Sequence, residues 1–85
     1  LGVNIKKIVA QNLRGYRKLK NLTQEAVGIH SKLNPNQISR IEREDEEANP
    51  TLTNLERIAK TLGIDAYMLL IPHSYKKRVT ITDQE

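Results

Sequence analysis

Leu33-Asn34-Pro35-Asn36-Gln37 restricts this chain more than any other stretch. Proline suits the first position of a helix, where its missing N–H has no partner in any case, and it breaks a helix one turn later. A helix is therefore expected to open at Pro35, with Asn34 as its cap. Gln37 follows the cap by three residues, where its side chain can return a bond to the cap's own N–H. Ile38 and Ile41 give this helix one apolar stripe, and Asn36, Gln37, Arg40 and Arg43 lie away from it.

The same grammar marks the rest of the chain. Ile5, Ile8, Val9, Leu13, Tyr16 and Leu19 recur near a 3.6-residue period, so 4–20 reads as a first helix capped by Asn4 and ended at Asn21. Thr23 caps a short second helix from Gln24 to about Ser31. The acidic run 44–50 is a loop. A fourth helix starts at Pro50-Thr51 or at Thr53 with Glu56, buries Leu55, Ile58, Ala59 and Leu62, and stops at Gly63. Asp65 is expected to cap a fifth short helix at 66–71. From Pro72 onward the pattern changes, and Arg78-Val79-Thr80-Ile81-Thr82 alternates like a strand. The fold class is all-α: a five-helix domain over 1–71 and a short C-terminal tail over 72–85 that includes a candidate strand.

Composition narrows the functions open to such a domain. A chain of 85 residues makes a single small core, and dimerisation would support it. Net charge of +4 favours an anionic partner. The absence of cysteine excludes disulfides and thiolate metal sites and suits a cytoplasmic location. With no Trp or Phe and three Tyr, there is no aromatic platform for single-stranded nucleic acid. No apolar run is long enough to cross a membrane, and the first residues are too polar for a signal peptide. The chain lacks an initiator Met, as a processed or excised piece would. His30 and His73 are isolated, so no metal is expected. No nucleophile–base pair, catalytic carboxylate pair or Gly-rich phosphate loop is evident, so neither enzyme activity nor a cofactor is expected.

Two short helices joined by a turn of three or four residues are the minimum for a helix-turn-helix, whose second helix enters the major groove of DNA. The amide and guanidinium groups outside the Ile38–Ile41 stripe are the groups that pair with adenine, guanine and phosphate. Leu22-Thr23-Gln24-Glu25, Ile38-Ser39-Arg40-Ile41-Glu42-Arg43, Asn49-Pro50-Thr51-Leu52, Leu55, Ile58-Ala59, Leu62-Gly63 and Leu69 together resemble the phage-repressor (Cro/repressor, xenobiotic-response-element) helix-turn-helix family over about residues 5–70. The resemblance implies a transcriptional regulator, most often a repressor, that binds a palindromic operator on double-stranded DNA as a homodimer. It further implies that the helix at about 35–43 reads bases through Asn36, Gln37 and Arg40. Gln24 and Asn34 would meet phosphate, with Gln24 also bracing the reading helix, and Arg43 would touch the DNA backbone. Arg17 and Glu42 match a partly buried salt bridge that holds the reading helix.

Several positions depart from the family pattern. Pro35 replaces a base-reading Gln, and Gly28 replaces an Ala. Lys32 stands where the turn usually has Gly, so the turn is expected to be strained or rearranged. Glu44 replaces another Gly and opens the acidic run Glu44-Asp45-Glu46-Glu47 beside the expected path of the phosphates. Some of these acids must point away if DNA is to bind well. The segment Tyr67 to Ile71 is apolar on more than one face, which suggests a twofold contact through Tyr67, Met68, Ile71, Val79 and Ile81. The plain alternative is a tail that folds back over this patch. A different functional class also stays open: an antitoxin-like or regulator-binding module, with a protein partner at the acidic loop or at helix five.

Overall fold

The computed structural model describes residues 4–76. The candidate strand, with Val79 and Ile81, lies outside the described residues. The described chain is helical throughout: α1 (Ile5–Leu19), α2 (Gln24–His30), α3 (Pro35–Glu42), α4 (Leu52–Leu62) and a 3-10 helix, η1 (Ala66–Leu70). Four of these starts are capped by a side chain. Asn4 accepts from the Lys7 N–H, Thr23 from Ala26, Asn34 from Asn36 and Thr51 from Asn54. Of the two starts open for the fourth helix, the chain thus uses Thr51. Asp65 makes no side-chain cap bond. The fifth short helix thus stands where expected, as a 3-10 helix, but it is held by tertiary bonds rather than by a side-chain cap from Asp65.

The four α-helices end in one way. Asn21, Lys32, Glu44 and Gly63 all have left-handed backbone, with φ of 57, 59, 58 and 71°. In each case the next N–H reaches back five residues: Leu22 to Arg17 O, Leu33 to Gly28 O, Asp45 to Arg40 O and Ile64 to Ala59 O, at 2.8–3.1 Å. This termination satisfies carbonyls that the helix leaves open and turns the chain sharply. Lys32 therefore keeps the tight turn instead of rearranging it. A left-handed backbone costs Lys32 and Glu44 each ~1–2 kcal/mol relative to right-handed geometry. Gly28 is coupled to Pro35 across this turn, since a Cβ on Gly28 would lie 2.7 Å from Pro35 Cα. Two departures from the family pattern thus accommodate one another.

Val9, Leu13, Tyr16, Val27, Ile38, Ile58, Leu62 and Leu69 form one contiguous core. The 3-10 helix is pinned to α1 by Asn12, whose amide is fully buried and donates to the Leu69 and Ile71 carbonyls at 2.8 Å. Tyr16 is also fully buried, and its hydroxyl donates to Ser74 Oγ at 2.9 Å. Ser74 in turn donates to the Met68 carbonyl. Ser74 and Tyr75, which the sequence assigns to the tail, therefore pack on the helical body.

Tyr75 lies over Gly15 and meets Tyr16 edge-on, with ring centroids 6.2 Å apart. Helix propensity alone favours Ala over Gly inside α1 by ~1 kcal/mol. An added Cβ, however, would lie 2.5 Å from Tyr75 Cγ and force the ring away. Gly15→Ala should therefore destabilise the protein by ~1–2 kcal/mol in denaturant unfolding. In a Tyr75→Ala background the same change should instead stabilise by ~1 kcal/mol. Equal effects in both backgrounds would show that the ring does not rest on Gly15 in solution.

Candidate nucleic-acid interface

The interface is built from the back of α3 outward. Ile38 and Ile41 anchor the helix in the core. Glu42, 2% exposed, fixes its rotation. Its carboxylate accepts from Arg17 Nε at 2.6 Å and Arg17 Nη2 at 2.9 Å, a two-pronged bond from α1. Gln24 Nε2 donates to the same carboxylate at 3.0 Å, so α2 joins the network. Hydrogen bonding to Glu42 raises the pKa of the Arg17 guanidinium above its usual value, against the opposing effect of burial. Arg14 Nη2 donates to the Glu42 carbonyl at 2.7 Å, placing a cation at the negative end of the α3 dipole. The sequence gives one sign of Arg14: it precedes Arg17 by three residues and so shares its helix face. Gln24 serves here as a brace for α3, with its amide nitrogen directed to Glu42.

The first turn of α3 points the other way. Asn34, Asn36 and Gln37 are exposed. The Asn36 N–H donates to Asn34 Oδ1 at 2.8 Å, and the Asn34 N–H donates to Gln37 Oε1 at 3.0 Å. This reciprocal cap has a chemical consequence. Reading adenine needs both the oxygen and the nitrogen of an amide side chain. Gln37 commits one lone pair of its oxygen to the cap, which ties that end of the amide to the backbone and leaves its N–H groups the freer end. Asn36 has no side-chain bond among the described residues, so both ends of its amide face solvent.

Arg40 and Arg43 continue the outward face toward the acidic loop. Arg40 Nε lies 3.3 Å from Asp45 Oδ2, and its Nη2 lies 3.9 Å from Glu47 Oε1. Arg43 Nη2 is 3.7 Å from Asp45 Oδ2. The Glu47 N–H, and after it the Arg40 guanidinium, hold the Asp45 carboxyl below the ordinary aspartate range. Of the four acids in the loop, Asp45 and Glu47 thus turn toward the arginines. Asp45 escaped the sequence reading because the contact depends on the sharp reversal at Glu44.

The sites expected on helix five divide. Tyr67 is exposed, whereas Met68 and Ile71 are half-buried, and Met68 packs against the core. Ile5, Val9, Leu52, Leu55 and Leu70 line an apolar groove elsewhere on the surface. No helix among the described residues is long and apolar enough to cross a membrane.

Two short helices joined by a tight turn, the second braced from behind and polar in front, define a helix-turn-helix domain of the DNA-binding class. The chain belongs to the helix-turn-helix family, whose sequence pattern it matches over residues 13–69, and is a DNA-binding transcriptional regulator. It is similar to control protein C.SmaI of Serratia marcescens, with 38% identity over 87% of this chain and 86% of that protein. It is 33% identical to an uncharacterized helix-turn-helix transcriptional regulator, y4dJ, of Sinorhizobium fredii over 82% of this chain and 88% of that one. Among solved structures, a hypothetical transcription factor from Neisseria superposes with a TM-score of 0.78 at 31% identity, covering 92% of this chain and 85% of that chain. The SinR–SinI protein complex matches with a TM-score of 0.67 at 22% identity, covering 88% of this chain and 78% of that one, which is a likeness of fold alone.

Proposed function

We propose that this regulator is a repressor that reads a specific duplex sequence through the outer face of α3. The observation that carries the proposal is the pairing of an outward face, with exposed amides, a half-buried Arg40 and an exposed Arg43, with a buried brace on the opposite side of the same helix. Such a helix can enter the major groove without rotating about its own axis. Arg40 is assigned to guanine, and Asn36, with both ends of its amide open, to adenine. Gln37 donates to a base acceptor, Asn34 Nδ2 meets phosphate, and Arg43 meets the backbone beyond the helix. Two copies in the cytoplasm would bind as a homodimer through the apolar groove beside Leu52 and Leu70, reading half-sites about 34 Å apart.

Selection of bound duplexes from a random pool tests this reading. It should enrich a palindrome whose half-site centres lie about one helical turn apart. Affinity for the selected duplex should fall steeply with salt. If nothing is enriched, and mixed duplex fails to bind below ~0.1 mM at low salt, the helix-turn-helix is a scaffold for a protein partner. The exposed apolar groove would then be the first surface to examine.

A further inference from the structure

We infer that Asp45 is a positioning residue for base reading: its carboxylate fixes the Arg40 guanidinium on the outer face of α3 and shields it from phosphate. The inference rests on the proposal that α3 reads bases.

Asp45 is held more firmly than a solvated loop acid. Its own N–H donates to the Arg40 carbonyl at 3.1 Å, which closes the end of α3. Its Oδ1 accepts from the Glu47 N–H at 2.9 Å. With one oxygen tied to the loop backbone, the other is presented at a fixed place, 3.3 Å from Arg40 Nε and 3.7 Å from Arg43 Nη2. An arginine on an exposed helix otherwise samples many rotamers, and ordering it on binding costs affinity. The Asp45 contact occupies the Nε edge and leaves the two terminal nitrogens, of which Nη2 is held only at 3.9 Å by Glu47, as the fork for guanine O6 and N7. The same carboxylate repels phosphate, so an arginine held beside it gains less from duplexes of the wrong sequence. Glu47 is a looser partner, with its side chain 88% exposed and 3.9 Å away.

Asp45→Asn tests the inference, because asparagine keeps an oxygen for the Glu47 N–H while removing the charge. Glu46→Gln is the matched control: it makes the same charge change in the same loop, and Glu46 forms no side-chain ion pair among the described residues. Affinity would be measured by fluorescence anisotropy over a range of salt for three duplexes. These are the one the wild type selects, the same duplex with Arg40's guanine replaced, and a mixed sequence. Arg40's guanine is the position that Arg40→Ala no longer discriminates. Asp45→Asn should lower discrimination at that position about tenfold and leave the other positions unchanged. It should also tighten binding to mixed duplex and steepen the logarithmic salt dependence by about one unit. Glu46→Gln should hold discrimination within about twofold. If Asp45→Asn behaves as Glu46→Gln does, loop charge alone matters and the inference is overturned. If the wild type prefers no duplex, base reading by α3 is itself overturned, and this inference falls with it.

Discussion

Glu42→Ala should cost about 3–5 kcal/mol in equilibrium denaturation, a large part of what a small domain has to lose. The reason is the environment left behind. Arg17, with its side chain 14% exposed, would keep its charge but lose the carboxylate that accepts two of its N–H groups. Gln24 would lose its acceptor as well. The bridge itself need not add much net stability, because desolvating both ions offsets most of their attraction. The double variant Arg17→Met/Glu42→Leu should therefore recover most of the loss, and that contrast separates a stranded charge from a lost contact. A single-variant cost of ~1 kcal/mol or less would mean that solvent reaches Arg17 and that α3 is not braced in this way.

Arg40→Ala should weaken binding to the selected duplex by about 5- to 150-fold, equivalent to ~1–3 kcal/mol, and abolish preference at one guanine. Arg43→Ala, which removes a cation beyond the helix end, should weaken all duplexes alike and reduce the salt dependence by about one unit. These two patterns distinguish a base contact from a backbone contact without a structure of the complex. Unchanged discrimination in Arg40→Ala would move the base-reading role elsewhere on α3. The stability of both variants should stay near that of the wild type, because neither side chain reaches the core.

The start of α3 was legible because its signals are local and agree. Pro35 fixes the backbone, Asn34 supplies the cap and Gln37 returns the bond, all within four residues of sequence. Thr23, Gly63 and the stripe from Leu55 to Leu62 were legible for the same reason. The pairing of Arg17 with Glu42 came from the family resemblance, because no local pattern connects residues on two separate helices. The fifth helix stands where expected, but its support is not the one the local sequence offers. Asp65 resembles a cap, but η1 is held by Asn12 from α1, more than fifty residues earlier. Tyr75 on Gly15 is hidden in the same way: a glycine inside α1 looks like a defect until the ring that occupies its missing Cβ is seen. The Asp45 contact is hidden because it depends on a backbone reversal. The acidic run reads as an obstacle to DNA, whereas the left-handed Glu44 folds Asp45 against Arg40 and Arg43.

The most direct test follows side-chain NMR signals while a duplex recovered by selection is titrated into the protein. The Asn36 and Gln37 amide groups and the Arg40 Nε–H should shift and saturate together, while the Asn12 amide, buried under η1, stays in place. Shifts concentrated on Tyr67, Leu70 and Leu52, with Asn36, Gln37 and Arg40 unmoved, would mean that the outer face of α3 does not meet DNA.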